Sequence, residues 1–197
     1  MGKTYIVKAL EERINEAGLN AATIPSVNRQ LAELGISGRT WFDQYLGSAV
    51  RTYAQLLYRK NAEDQCIDVL LSDRTMLDVA AYNRTYILLK ATQGNVPGDA
   101  FYNVNQLTML SLAADLENYW NLVYVKPPHP DFDIEGDGVR PEDLDQSSLH
   151  THMIEILSQL RDDNGLTAAS RVTMLPIDRD EAVESVWQDV KKVVFGG

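Results

Sequence analysis

The sequence predicts an α/β fold of three layers, α/β/α, around a mainly parallel sheet, as a single domain over residues 1–197. Two observations predict it. Short runs rich in branched apolar residues alternate with stretches of helical periodicity along the whole chain. That alternation argues for parallel strands joined by right-handed crossovers. No internal repeat, low-complexity tract or linker is long enough to divide the chain.

In chain order, Ile6, Val7, Leu10 and Ile14 recur at helical spacing, and Gly18 suits the C-terminal stop of this first helix. Asn20 to Ile24 is a short strand candidate closed by Pro25. Ser26 can cap a short helix with Val27, Leu31 and Leu34 that stops at Gly35. A longer helix covers about residues 40–62, its apolar face formed by Phe42, Leu46, Val50, Tyr53 and Leu57. Cys66 to Leu71 reads as a buried parallel strand. A helix with Met76, Leu77, Val79, Ala80 and Ile87 follows it.

Residues 92–105 read as a loop, and about 106–118 as another helix. Trp120 to Val125 is a second convincing strand, ended by Pro127 and Pro128. The polar segment 129–140 predicts a mobile surface loop, lid-like over about 127–141. Pro141 opens a helix that runs to about Asp162, with Leu149, Met153, Ile156, Leu157 and Leu160 inward. Arg171 to Leu175 is a third strand, and 180–194 a closing helix with Val183, Val186, Trp187 and Val190 inward.

The chain has 197 residues, a formal net charge of −10, 45% apolar and 23% charged residues, an ordinary globular composition. The acidic balance argues against nucleic acid or an anionic membrane as partner, because phosphate contacts need clustered Lys and Arg. A local basic pocket for a small phosphorylated ligand stays compatible with it. One cysteine, Cys66, forms no intrachain disulfide, which fits a cytoplasmic setting. No apolar run reaches the roughly 18–20 residues of a membrane span.

Gly2-Lys3-Thr4 is the second half of a phosphate-binding loop, G-x-x-x-x-G-K-[ST], and a helix follows it at once, as phosphate binding at a helix N-terminus requires. In that pattern the backbone N–H groups wrap the phosphates, the Lys reaches the terminal phosphates and the Thr hydroxyl binds Mg²⁺. The full pattern expects a strand and glycine-rich turn ahead of Gly2, with Met1 at a variable position. The alternative is a polar terminus in which Thr4 caps a helix.

Asp73 and Arg74 follow a strand, where ligands bind in parallel sheets. Asp73 there can accept a proton or hold Mg²⁺ through water, and Arg74 can clamp an anion. The alternative is a helix-capping Asp with Arg74 in a surface ion pair. Asp137-Gly138-Val139-Arg140 would carry an arginine on a lid, or be a solvated turn. Arg29, Arg39 and Arg51 lie where a substrate wall could form, and Tyr45, Tyr53 and Tyr82 could stack on a base or simply pack. His129, His150 and His152 read as surface residues. The acidic residues of the 129–140 loop do not match the spacing of a calcium loop, and one Cys makes structural zinc improbable.

With these blocks in hand, the chain resembles P-loop kinases of the thymidylate-kinase-like and nicotinamide-riboside-kinase-like type, a group that includes small phage and bacterial proteins often labelled AAA-domain ATPases. The matching residues are Gly2-Lys3-Thr4, Ser72-Asp73-Arg74-Thr75-Met76-Leu77-Asp78-Val79-Ala80-Ala81-Tyr82, and Asp137 to Arg140. The resemblance implies a P-loop NTPase type of fold and transfer of the ATP γ-phosphate to a nucleoside or nucleotide. It implies that Gly2, Lys3 and Thr4 contact ATP, and that Thr4 and Asp73 serve Mg²⁺. Asp73, Lys3 and Arg140 would be catalytic, while Arg74, Arg29 and Tyr82 would meet the acceptor. A homodimer is compatible with the resemblance. The rival expectation is a nucleotide-binding or inert interaction protein on the same scaffold, without turnover.

Overall fold

The computed structural model describes residues 2–25, 27–36, 41–95, 98–128, 146–164 and 172–196. Ser26, Arg39, Arg140 with the rest of the 129–141 segment, and Arg171 lie outside the described residues, as does the side chain of Arg29.

The elements are α1 (Gly2–Glu16), β1 (Ala21–Ile24), α2 (Asn28–Glu33), α3 (Trp41–Asp64), β2 (Val69–Ser72), α4 (Met76–Thr92), α5 (Asp99–Asn118), β3 (Val123–Val125), α6 (Gln146–Asn164), β4 (Val172–Met174) and α7 (Arg179–Phe195). The order of helices and strands follows the sequence pattern. The exception is 99–105, expected as loop, which forms the first turns of α5. The two Gly and one Pro of that stretch lie at 94, 97 and 98, ahead of the helix rather than inside it.

Helix ends follow local chemistry. At α1, Gly18 takes φ +84°, Gly18 N–H bonds Asn15 O and Leu19 N–H bonds Ile14 O, the paired closure of a left-handed cap. The same closure ends α3, where Cys66 N–H meets Glu63 O and Ile67 N–H meets Ala62 O, but the left-handed residue is Cys66, with φ 54°. A side chain there strains the backbone by about 1 kcal/mol. Helix α4 starts in a capping box: Leu77 N–H donates to Thr75 Oγ1 and Thr75 N–H donates to Asp78 Oδ2. Helix α7 starts at Asp178, whose Oδ1 accepts from Asp180 and Glu181 N–H.

Both strand pairs are parallel, but the single sheet expected from the sequence is two sheets of two strands among the described residues. Strand β1 pairs with β2 from Ala21–Val69 to Ile24–Ser72, and β3 with β4 from Val123–Val172 to Val125–Met174. Helices cover both faces. Ile6, Leu10 and Ile14 of α1 meet Val183, Val186 and Val190 of α7, with Val69, Leu71 and Tyr124 against them. Val123 and Val125 face the opposite way, into a core made by α4, α5 and α6. Alternate residues of β3 thus serve two cores, as a strand between two helical layers must. The arrangement is a mostly helical α/β fold with small parallel sheets.

Two expectations about burial are corrected. Strand β2, expected to be buried, is half-buried at Val69, Leu70, Leu71 and Ser72, because β2 has one strand neighbour, β1. In α3, Phe42, Tyr53 and Leu57 of the expected apolar face are exposed, with Leu56 beside them. The buried line instead carries Ser48, Gln55, Arg59 and Ala62. Hydrophobic periodicity misplaces this helix because its buried polar groups find partners on other elements. Ser48 Oγ donates to Asn83 Oδ1 at 2.7 Å, and Gln55 Nε2 to Arg74 O at 2.8 Å. Arg59 forks onto both oxygens of Asp115 at 2.7 Å, its guanidinium 4.9 Å and 5.1 Å from the rings of Tyr119 and Trp120.

The Arg59–Asp115 pair has both side chains under one-tenth exposed. Asp115→Ala, which strands the guanidinium, is expected to destabilise the protein by about 3–5 kcal/mol in urea unfolding. Cys66→Gly is expected to move the same midpoint upward by about 0.5–1 kcal/mol, since glycine adopts the left-handed cap without strain.

Candidate functional site

The carboxyl ends of the strands and the amino end of α1 meet on one rim. Thr4 Oγ1 donates to Asp73 Oδ2 at 3.1 Å, joining the first turn of α1 to the residue after β2. Tyr5 Oη donates to Asp180 Oδ1 at 2.8 Å, joining the same turn to the start of α7 beyond β4. Lys126, just after β3, donates to the carbonyls of Pro176 and Ile177, just after β4. At the opposite end, Arg59 ties the approach to β3 to the end of α3 that leads into β2. Strands β2 and β3 therefore point the same way.

Gly2, Lys3 and Thr4 are all in the first turn of α1, and Gly2 is its first residue. Lys3 Nζ lies 2.7 Å from Asp78 Oδ1. The Asp78 carboxyl is buried. Burial alone would raise its pKa, but the charges of Lys3 and Arg74, the Lys3 hydrogen bond and the Thr75 N–H together hold it below the usual carboxylate range. The sequence singled out Lys3 but not this partner. The signal available was the spacing Thr75-x-x-Asp78, which marks a helix start.

Asp73 stands at the carboxyl end of β2, with Oδ1 buried and without a hydrogen-bond partner among the described residues. Arg74 points the other way, over the ring of Tyr82 at 5.9 Å. Its carbonyl is held by Gln55 Nε2 and the Ser72 hydroxyl. Burial pulls the Arg74 pKa down, but Asp78, Tyr82 and Asp73 more than compensate, so it stays firmly charged. Arg51 of α3 lies close enough to Arg74 to feel its charge. Burial first, then Arg74, lowers the Arg51 pKa to about 10. Gly47, one turn earlier, makes room for this guanidinium: a Cβ there would lie 3.0 Å from Arg51 Nη1. Two guanidiniums and a phenol thus lie close together, largely buried.

His150 in the first turns of α6 is half-buried rather than a surface residue. Burial, then the nearby Lys3 charge, lowers its pKa, and its Nε2 is buried without a partner among the described residues. His152 is half-buried too, with Nδ1 2.6 Å from Thr85 Oγ1. Tyr53 is exposed, away from any role in a pocket. Among the described residues no three His, Cys, Asp or Glu side chains group as a metal site, and no helix is long and apolar enough to cross a membrane. The Thr4 hydroxyl and Asp73 carboxylate are hard oxygen donors of the kind Mg²⁺ takes when phosphates and water complete its shell.

An opening helix with Lys and Thr in its first turn, set against a strand-end carboxylate and a guanidinium pair, has the chemistry to hold a phosphate-bearing ligand. The chain matches no known family model. Over 82 residues it is 32% identical to a probable thymidylate kinase of Methanopyrus kandleri, a match that covers 42% of this chain and 41% of that protein. The matched segment therefore spans about two fifths of the relative's length.

Asp78→Ala removes both the capping acceptor and the Lys3 partner. It is expected to cost about 1–3 kcal/mol near pH 7, with the part-exposed Lys3 contributing the smaller share. Because the native carboxyl pKa is depressed, this stabilisation is full above the unfolded carboxylate pKa of about 4 and is lost as pH falls through the native value. Urea midpoints of the two proteins should therefore converge in acid; a constant gap from pH 7 downward would remove Asp78 from the linkage.

Proposed function

We propose that this chain is a small-molecule kinase that transfers the γ-phosphoryl group of ATP, with Mg²⁺, to a nucleoside or nucleotide, and that a nucleoside monophosphate suits it best. One observation carries the reading: residues 69 and 75 apart in sequence are drawn together, so that Thr4 meets Asp73 and Lys3 meets Asp78 at the carboxyl end of β2. The partial similarity to a probable thymidylate kinase supports the same chemistry. The preference for a phosphorylated acceptor comes from Arg51 beside Arg74, since a doubly charged anion suits two guanidiniums.

Phosphoryl transfer asks a protein for position and charge neutralisation more than covalent chemistry. In this site Lys3 exchanges Asp78 for the terminal phosphates. Thr4 Oγ1 and Asp73 would hold Mg²⁺, Asp73 through water, and the ion would draw charge from the phosphate oxygens. Arg74, steadied by Gln55 and Ser72, orients the acceptor, with Tyr82 beside it. Arg29 and Arg140 are proposed as further acceptor and lid contacts.

A second reading, nucleotide binding without turnover, is favoured by one observation: the Lys3 ammonium is already neutralised by Asp78. Isothermal titration with ATP–Mg²⁺, alongside an ADP-release assay over nucleosides and nucleoside monophosphates, separates the two. Binding heat with ADP release supports the kinase, heat without release supports the second reading, and neither heat nor a thermal shift sinks both. Asp73→Asn is expected to lower kcat at least about 100-fold with the unfolding midpoint unchanged. Arg74→Ala is expected to act mainly on the KM of the acceptor.

A further inference from the structure

Helix α6 packs chiefly against α4. His150 stands in its first turns, half-buried, with Nε2 buried and without a partner among the described residues. Met153, one turn on and on the same side of α6, lines a cavity together with Lys3, Leu77 and Asp78. The Lys3 charge reaches the His150 ring. Burial first, then that charge, holds the imidazole below the ordinary histidine range, so the ring is neutral near pH 7. A buried nitrogen with no partner is costly to keep, and the phosphoryl-transfer steps give it no task. The neighbouring ion pair, in turn, is held from one side only. Asp78 is buried, whereas Lys3 is part-exposed and sits in the first turn of α1. Without Lys3, the carboxylate keeps the Thr75 N–H and the charge of Arg74, which itself lies over Tyr82. A buried carboxylate that loses its ammonium needs another cation.

We propose that His150 is a positioning residue that replaces Lys3 on Asp78: when the ammonium leaves, the imidazole takes one proton from solvent and donates a hydrogen bond through Nε2–H to the carboxylate. One cation then meets Asp78 before and after the exchange. The departure of Lys3 removes a charge that opposes protonation and leaves a carboxylate that favours it, so both changes act in the same direction. Of the other charged groups on the packed elements, Arg84 of α4 is taken up by Glu155 and Gln159 of α6. Arg74 lies over Tyr82, and His152 of α6 bonds Thr85. Lys3 and Asp78 are thus the charges that decide the state of His150. The exchange serves the step proposed above, in which Lys3 turns to the terminal phosphates, and it rests on that reading for its trigger. Nucleotide binding would then draw in a proton and tie the start of α6 to the start of α1.

Titration of the imidazole signals by NMR, without nucleotide, tests the exchange; the His150 signal is identified by its loss in His150→Gln. In the unaltered chain the ring is expected to titrate below the ordinary value of about 6.5. In Lys3→Met it is expected to rise above that value, and in the double variant Lys3→Met with Asp78→Asn to fall below it again. His152 is expected to stay where it is in all three. Losing the Lys3 charge alone leaves burial in force, which brings the ring toward the ordinary value but not past it. A ring that stays below about 6.5 in Lys3→Met therefore overturns the proposal. So does a rise that survives Asp78→Asn. Lys3→Gln is read in parallel, and the same outcomes decide should the methionine chain not fold. Calorimetry with ATP–Mg²⁺ near pH 6.5, in two buffers of different ionisation enthalpy, then reads the coupling. Binding is expected to take up protons in the unaltered chain and to lose that uptake in His150→Gln. Equal uptake by the two chains overturns the proposal. No binding heat at all sinks the triphosphate reading instead, and the exchange then stands or falls on the titration.

Discussion

Every buried backbone N–H and C=O must find a partner, and that constraint runs through the whole fold. Helices meet it internally, and the left-handed closures after α1 and α3 meet it at their ends. Strands meet it only through neighbours. Among the described residues β2 and β3 have one strand neighbour each, β2 stays half-buried, and the core divides into one cluster around α1 and α7 and another around α4, α5 and α6. Strand β3 holds the two together by sending alternate side chains into each.

The same constraint, extended to side chains, explains α3. A buried guanidinium is tolerable only when its charge and donors are met. Arg59 is met by a two-oxygen fork from Asp115 and by two aromatic faces. Ser48, Asn83 and Thr108 form a buried relay that joins α3, α4 and α5, with Asn83 donating to Thr108 Oγ1 at 3.5 Å. These bonds specify which face of α3 turns inward, and they leave the large apolar residues Phe42, Tyr53, Leu56 and Leu57 on the outside.

At the rim, electrostatics and topology act together. Parallel strands deliver their carboxyl ends to one edge, and α1 opens there. The Lys3–Asp78 and Thr4–Asp73 contacts hold the first turn of α1 in place while leaving Lys3 partly open to solvent. Arg51 and Arg74 concentrate positive charge beside that edge in a chain whose overall charge is −10.

Much was legible in the sequence because it depends on neighbours along the chain. Period, caps and breakers located α1, β1, β2, α4, β3 and α7, and the residues at strand ends, Asp73 and Arg74 among them, follow from that order. That the first turn of α1 shares the rim with Asp73 was an expectation of parallel topology with a strand ahead of Gly2, and Thr4 meets Asp73 there. What depended on partners far along the chain was decided only by tertiary structure. That Asp78 neutralises Lys3, that Arg51 crowds Arg74, that His150 stands near Lys3, and that α3 buries its polar line are each consequences of packing between separate elements. So is the division of the expected sheet into two pairs. Local sequence sets what each segment can form, whereas the charge, burial and edge pairing of a residue belong to whatever the folded chain places beside it.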